Sequence, residues 1–144
     1  MKKNLKISIK GIICRGDSVL MLKDHKGNWE LPGGGIEIGE HPNETLKREF
    51  KEELGVDVVR IESLVDVWDF CNETEQNLHQ FIIIVYSCSV NFSEIIFSSE
   101  HLDMKWVSLN QVNNVQMRDG YKKSLTKFKN MRSESNECRS ATRL

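Results

Sequence analysis

The distribution of apolar positions near the start of the chain predicts a β-hairpin. Ile7, Ile9 and the run at residues 11–14 indicate a first strand, and the apolar run at residues 18–22 indicates a second. The polar, glycine-containing segment at residues 15–17 suits the turn between them. The chain therefore opens with two neighbouring antiparallel strands.

The next stretch changes to helical spacing. Apolar residues recur every four positions at Leu46, Phe50 and Leu54. This spacing places them along one face of a helix. Pro42 suits a first helical turn because its missing N–H needs no partner there, and Gly55 suits the left-handed position that follows a helix. We therefore expect a helix that begins near residue 41 or 42 and ends at Gly55.

The rest of the chain predicts further strands and a last helix. We expect a long or bent strand at residues 56–69, a central strand at 78–90, a short strand at 105–108, a short helix within 109–115 and an amphipathic helix at 119–131. This order predicts an α/β fold in which a mixed sheet lies between helices. Residues 132–144 lack apolar periodicity and are predicted to be a disordered tail, which leaves a single domain over residues 1–131.

Three acidic residues of the first predicted helix, Glu49, Glu52 and Glu53, project from one side of it. In an arbitrary helix such a cluster is most often a solvated face that neighbouring cations compensate, and Arg48 could pair with Glu44 or Glu52. Clustered carboxylates are also what a hard divalent cation requires. A run of three glycines at residues 33–35 lies directly before this helix and lets backbone groups approach an ion or phosphate closely. The combination favours a metal site.

The glycine run and the helix together form one spaced pattern. Gly34 is followed by Glu40, by the pair Arg48-Glu49 and by a segment that ends at Val56. This pattern resembles the Nudix box, the signature of Mg²⁺-dependent enzymes that cleave the diphosphate linkage of nucleoside diphosphates joined to another group. Every constrained position is filled, and only Phe50 is a less common choice than Leu, Ile or Val. The resemblance covers about residues 4–130 and implies a Nudix α/β/α sandwich.

The resemblance also implies roles for individual residues. The Gly33 carbonyl, Glu49 and Glu53 would hold Mg²⁺, for which Mn²⁺ can substitute, and Glu52 would contribute as a ligand or nearby acid. Gly34, together with a salt bridge between Glu40 and Arg48, would support the site structurally. The implied site therefore consists of Gly33 and of the box residues Gly34, Glu40, Arg48, Glu49, Glu52 and Glu53.

The catalytic base is left open by the sequence. In Nudix enzymes it is a box glutamate, here Glu53 or Glu52, or a glutamate from a later loop. Glu100 precedes the Trp106 strand at the spacing that the family uses for this loop residue, which also completes the metal site. Glu94 and Asp103 are the alternatives to Glu100.

Substrate contacts outside the box are predicted at four positions. Trp29 and Phe70 could stack on a ring, although aromatic residues beside strands more often belong to the core, and the same is true of Trp68. Arg118 and Asp119 occupy the region in which relatives place a side chain that reads the base. No proline or tyrosine marks the chain as an ADP-ribose or diadenosine polyphosphate enzyme.

Composition excludes several classes of partner. The 144 residues carry 20 Lys and Arg against 21 Asp and Glu, so a net charge of −1 gives no reason to expect a long nucleic acid or a membrane as partner. No segment is a signal peptide or a membrane span, and a cytoplasmic location is expected. The four dispersed cysteines predict reduced thiols. A homodimer is left open.

The function predicted from these patterns is Mg²⁺-dependent hydrolysis of a nucleoside diphosphate-X substrate. The leading candidate is a nucleoside triphosphate, oxidised or not, that yields a monophosphate and pyrophosphate. The alternatives are a non-catalytic Nudix domain that senses a nucleotide or sugar nucleotide, and a pyrophosphatase acting on an ADP-sugar or a dinucleotide. A nucleotide-type small molecule is the expected partner in each case.

Overall fold

A computed structural model of the chain describes residues 1–91, 95 and 103–142. The described part is a mixed sheet of seven strands with one long helix on each side. The elements are β1 (Lys2–Arg15), β2 (Ser18–Lys23), β3 (Trp29–Glu30), β4 (Gly33–Gly35), α1 (Pro42–Leu54), β5 (Val58–Glu73), β6 (Asn77–Val90), β7 (Asp103–Ser108), a 3₁₀ helix (Leu109–Asn114) and α2 (Asp119–Thr142). The predicted α/β fold with a mixed sheet is confirmed.

Strand β1 organises the sheet because it pairs with three others. It runs parallel to β6 from Lys2 to Ile13, antiparallel to β4 where Lys10 faces Gly33, and antiparallel to β2 at its end. The path of the sheet is β3-β2-β1-β6-β5, with β4 attached to β1 and β7 attached to β2. The β1–β4 pairing brings the glycine run against the middle of β1.

Two apolar clusters fill the spaces between the sheet and the helices. One contains Leu46, Phe50 and Leu54 of α1 packed on Ile9 and Ile13 of β1. The other contains the α2 residues Tyr121, Leu125 and Phe128. Successive residues of a strand face opposite sides, so β1 supplies both clusters. The predicted stripe of α1 is therefore confirmed as its buried face.

The structure differs from the sequence expectations mainly in where elements end. Strands β5 and β6 form a longer hairpin than predicted, because β5 continues to Glu73 and β6 begins at Asn77. Register shifts in β5 account for the bend expected in that strand. Helix α2 continues to Thr142, so the backbone of residues 132–142 is helical where the sequence predicted a disordered tail. In the described part of the chain, no helix has the length and apolarity to cross a bilayer.

Candidate active site

Helix α1 begins and ends as its sequence predicts. The His41 backbone N–H donates a hydrogen bond to Glu44 Oε1 at 3.2 Å, which satisfies one of the N–H groups left open at a helix start. Gly55 adopts the left-handed conformation (φ 69°), and its N–H donates to the Lys51 carbonyl at 3.1 Å. These two ends fix the helix register and therefore the face on which the glutamates project.

Gly33 is the point where the glycine run meets α1. Its φ of +129° favours glycine, and a Cβ there would collide with the carbonyl oxygen of Ile9. The Gly33 N–H donates a hydrogen bond of 2.7 Å to Oε1 of Glu53, whose residue is 3% exposed. The buried carboxylate of Glu53 thus ties the glycine run to helix α1. Gly33 and Glu53 lie side by side, as the family resemblance implied.

The carbonyl group of Gly33 contacts a buried lysine. Lys10 of β1 donates from Nζ to the Gly33 carbonyl oxygen at 3.2 Å, and its Nζ lies 4.0 Å from Oε1 of Glu30. Burial by itself would lower the pKa of Lys10, but its neighbour Tyr121 and the carboxylates of Glu30, Glu53 and Glu49 raise it above its ordinary value. Lys10 therefore places an ammonium group inside the site, between the Gly33 carbonyl and the Glu30 carboxylate.

Arg48 connects the rest of the loop to the helix. Its guanidinium donates to both carboxylate oxygens of Glu40 at 2.8 and 3.0 Å, to Glu49 Oε1 at 2.9 Å and to the Gly35 carbonyl at 2.9 Å. The hydrogen bonds from Arg48 lower the pKa of Glu40 to about 2. The geometry contains the salt bridge between Glu40 and Arg48 that the family resemblance implied.

Gly34 leaves room for the carboxylate of Glu49. A Cβ on Gly34 would lie 2.5 Å from that carboxyl group. A larger residue at position 34 would therefore push the Glu49 carboxylate out of place. Burial raises the pKa of Glu49, while the hydrogen bond from Arg48 opposes that shift. The carboxylate is consequently held between the loop and the arginine.

The three box glutamates differ in exposure. Glu53 is buried, and the Glu49 side chain is 15% exposed. The Glu52 side chain is 51% exposed, and its Oε2 lies 3.6 Å from Nη1 of Arg48. Among the described residues, no group of three His, Cys, Asp or Glu side chains converges to hold a metal. Mg²⁺ nevertheless needs only one or two carboxylates when substrate phosphates and waters complete its shell. The carboxylates of Glu49 and Glu53 beside the Gly33 carbonyl fit that requirement.

A cleft of about 830 Å³ lies between β5 and the start of α2. Phe70 and Arg118 form one wall, with the Arg118 guanidinium carbon 3.8 Å from the centre of the Phe70 ring. Asp119 also lines the cleft. Its aromatic wall continues through Trp68, whose ring centre lies 5.7 Å from that of Phe70. Three of the four predicted substrate contacts therefore share one cleft.

Trp29 is not part of that cleft. It is 8% exposed and belongs to the apolar cluster beneath α2. The ammonium groups of Lys105 and Lys23 lie over its ring, 4.2 and 5.8 Å from the ring centre. The structure does not support Trp29 as a stacking partner for substrate, because strand β3 turns it into the core.

Two of the carboxylates considered for the later loop, Glu94 and Glu100, lie outside the described residues. Asp103 is described and is an exposed residue of β7 that pairs in register with Lys23. Its carboxylate accepts a hydrogen bond from the Met104 N–H at 2.8 Å.

Comparison with known proteins identifies the family. A model of the NUDIX domain matches residues 5–128. The chain belongs to the Nudix hydrolase family. The Nudix architecture is further supported by the crystal structure of a MutT protein from Methanosarcina mazei Go1, which is 25% identical, has a TM-score of 0.77 and matches over 92% of this chain and 98% of that one.

Curated Nudix relatives of similar sequence are nucleoside triphosphatases. This chain is 29% identical over 110 residues to the nucleoside triphosphatase NudI of Enterobacter sp. (strain 638), across 69% of this chain and 75% of that protein. It is 30% identical over 89 residues to NudI of Escherichia coli O139:H28, across 56% of this chain and 62% of that protein. The second alignment spans less than two thirds of its relative.

Sequence reasoning missed several residues that complete this Nudix site. Lys10, Glu30 and Tyr121 line its interior, and Trp68 lies at the junction with the cleft because its ring packs edge-on against Tyr121 at 4.9 Å. A signal for Lys10 was present, since a lysine interrupts the otherwise apolar second half of β1. Glu30 lies on β3, Tyr121 on α2 and Trp68 on β5, so these residues come together only through tertiary packing.

Proposed function

We propose that the chain is a Mg²⁺-dependent pyrophosphohydrolase whose substrate is a nucleoside triphosphate, oxidised or not, and whose products are the monophosphate and pyrophosphate. The observation that carries the proposal is the Gly33–Glu53 contact, in which a buried carboxylate fixes the backbone beside the Glu49 carboxylate. The similarity to nucleoside triphosphatases supports the choice of substrate class.

Each residue of the proposed site has its own role. Glu49, Glu53 and the Gly33 carbonyl would hold Mg²⁺, which when bound neutralises non-bridging phosphate oxygens and lowers the pKa of a coordinated water. Arg48 keeps the carboxylate of Glu49 in place through its hydrogen bond of 2.9 Å. Glu53 acts as ligand or as proton acceptor, with Glu52 and Glu100 as the other candidates for the base.

The cleft is proposed to bind the nucleoside. The Phe70 ring and the Arg118 guanidinium already stack on one another, so a purine or pyrimidine could extend that stack. Asp119 and Asn28 provide polar groups in the same cleft that could pair with the base edge. Tyr121 packs against Trp68 and is also an electrostatic neighbour of Lys10, so the cleft and the acidic site are adjoining regions.

A substrate panel with product identification tests this proposal. The chain would be incubated with Mg²⁺ and nucleoside triphosphates, an oxidised purine triphosphate, ADP-ribose, a UDP-sugar and a dinucleoside polyphosphate, followed by chromatography and separate assays for phosphate and pyrophosphate. We expect a triphosphate to give monophosphate and pyrophosphate, and excess EDTA to stop the reaction. Release of orthophosphate from the γ position, or activity in EDTA, contradicts the mechanism.

Two other results would redirect the assignment. Preferred cleavage of ADP-ribose or a dinucleotide would retain the Nudix chemistry and replace the substrate. Tight nucleotide binding without turnover under any metal condition would favour a sensor. Reaction in ¹⁸O-labelled water adds the position of attack, because the label appears on the fragment whose phosphorus accepts the water oxygen.

A further inference from the structure

Lys10 is a buried cation in the part of the site where a metal would otherwise meet the backbone. Its side chain is 8% exposed, and its Nζ lies 3.2 Å from the Gly33 carbonyl oxygen. That carbonyl is one of the groups proposed to hold Mg²⁺. The Lys10 ammonium contacts this carbonyl directly.

The two ends of Gly33 are held by groups of opposite charge. Glu53 accepts from the N–H at 2.7 Å, and Lys10 donates to the carbonyl at 3.2 Å. Glu30 lies on the far side of the Lys10 ammonium at 4.0 Å. The ammonium therefore partly neutralises the carboxylates of Glu30 and Glu53. Its position is fixed by β1, where Lys10 is in register with Gly33.

The negative charges of Glu40, Glu49 and Glu52 are neutralised by a different cation. Arg48 contacts Glu40 and Glu49 directly and approaches Glu52 at 3.6 Å. Its side chain is 25% exposed, whereas that of Lys10 is 8% exposed. Of these two cations, only Lys10 contacts the proposed backbone ligand, and its charge acts there with little screening by solvent.

We propose that Lys10 is a positioning residue whose ammonium fixes the Gly33 carbonyl while weakening metal binding to the free protein. The inference rests on the proposed function, because it assumes that a divalent ion binds beside Gly33. A like charge close to the ion opposes its binding, and a fixed carbonyl favours the productive geometry. Lys10 therefore lowers metal affinity and raises turnover.

The first test measures Mn²⁺ binding to the full-length protein without nucleotide, by the loss of the free-ion signal in electron paramagnetic resonance. Lys10→Met should bind Mn²⁺ about tenfold more tightly than wild type, because the opposing charge is gone. The same variant should lose about tenfold in kcat, because the carbonyl is no longer fixed. Lys10→Arg should keep wild-type Mn²⁺ affinity. Lys3→Met, at an exposed position of the same strand, is the matched control and should change neither value.

A purely structural role predicts the opposite direction for the metal. If Lys10 only supports the fold, Lys10→Met should bind Mn²⁺ more weakly, and Lys10→Gln should behave like it. Weaker or unchanged Mn²⁺ binding by a folded Lys10→Met variant overturns the proposal. Lys10→Gln keeps a donor for the Gly33 carbonyl without the charge, so tight Mn²⁺ binding with partly retained kcat is the result expected of it.

A measurement on the wild-type chain covers the case in which the neutral variants fail to fold. In protein labelled with ¹³C-lysine, the Lys10 Cε resonance should shift when Mg²⁺ is added, whereas the Lys3 resonance should not. No shift at saturating Mg²⁺ overturns the proposal. If the wild type binds neither Mn²⁺ nor Mg²⁺, the proposed function itself fails, whereas a different substrate in the panel leaves the inference on Lys10 intact.

Discussion

The box region and the cleft are built from contacts of very different range along the chain. In the box, Arg48 reaches Glu40 and Gly35 within one short segment that the Nudix spacing dictates. In the cleft, Phe70 of β5 meets Arg118 from the segment before α2 only because tertiary packing brings them together. Chemistry common to a family can be encoded locally, while the group that recognises a particular substrate depends on the whole fold.

The two regions also differ in how firmly their side chains are held. Gly33, Glu49 and Glu53 are fixed by hydrogen bonds and by the close approach at Gly34. In the cleft, the Phe70 ring and the Arg118 guanidinium are held by stacking on one another. We therefore expect substitutions in the box to reduce turnover and substitutions in the cleft to alter substrate binding.

The largest effect is expected for Glu53→Gln. Glutamine retains an oxygen that can accept from the Gly33 N–H, so the fold should persist, but the charge that binds Mg²⁺ or accepts a proton is lost. We expect kcat to fall on the order of 10²–10⁴-fold. Steady-state kinetics at saturating Mg²⁺, with circular dichroism as the check on folding, measures this. Near wild-type kcat would show that Glu53 has neither role.

A smaller effect is expected for Arg118→Ala in the cleft. Loss of the guanidinium removes one side of the stack on Phe70 and leaves the box untouched. We expect KM for the preferred nucleotide to rise about tenfold with kcat changed less, the pattern of lost ground-state binding. Arg15→Ala is a matched control, since Arg15 stacks on Trp106 instead. If Arg118→Ala lowers kcat as much as Glu53→Gln does, the cleft does not act in substrate binding alone.

This difference in range explains how much the sequence could predict. The α1 boundaries follow from Pro42 and Gly55 and its buried stripe from apolar spacing, while the Arg48–Glu40 bridge was implied by the family resemblance. The surroundings of Trp29 could not be predicted, because Lys23 lies beside it through the β2–β3 pairing and Lys105 only through the pairing of β2 with the distant strand β7. Helix α2 continues past Met131 although its sequence there lacks an apolar stripe, so periodicity could not mark its end.

A third prediction concerns the hydrogen bonds that join β5 to α2 beside the cleft. Asp66 of β5 accepts hydrogen bonds from Ser124 Oγ at 2.7 Å and Lys127 Nζ at 2.6 Å, both on α2. Asp66→Asn should lower the free energy of unfolding by about 1–3 kcal/mol, the cost of leaving a buried polar group poorly paired. Urea unfolding at neutral pH measures this, and Asp69→Asn, at a more exposed position of β5, is the control.

The same interaction predicts a pH dependence. Burial would raise the pKa of Asp66, but the hydrogen bonds from Lys127 and Ser124 lower it below its ordinary value. A depressed folded pKa adds stability that is present above the unfolded pKa, near 3.9, and is lost as the pH falls through the folded value. The stability gap between wild type and Asp66→Asn should therefore narrow below about pH 4. A gap that stays constant down to pH 2 would contradict this account.

The smallest effect on catalysis is expected for Trp29→Phe. The ring lies in the core and the Trp29 N–H donates to the Gln116 carbonyl at 2.8 Å, an interaction of the backbone that the substitution keeps. We expect KM and kcat to stay within about twofold of wild type while the free energy of unfolding falls by about 1 kcal/mol, since a smaller ring leaves a partial cavity. Phe70→Leu, at an aromatic position in the cleft, should show the reverse, with a raised KM and a smaller loss of stability. If KM rises in Trp29→Phe and not in Phe70→Leu, Trp29 contacts the substrate and the placement of the binding site in the cleft is wrong.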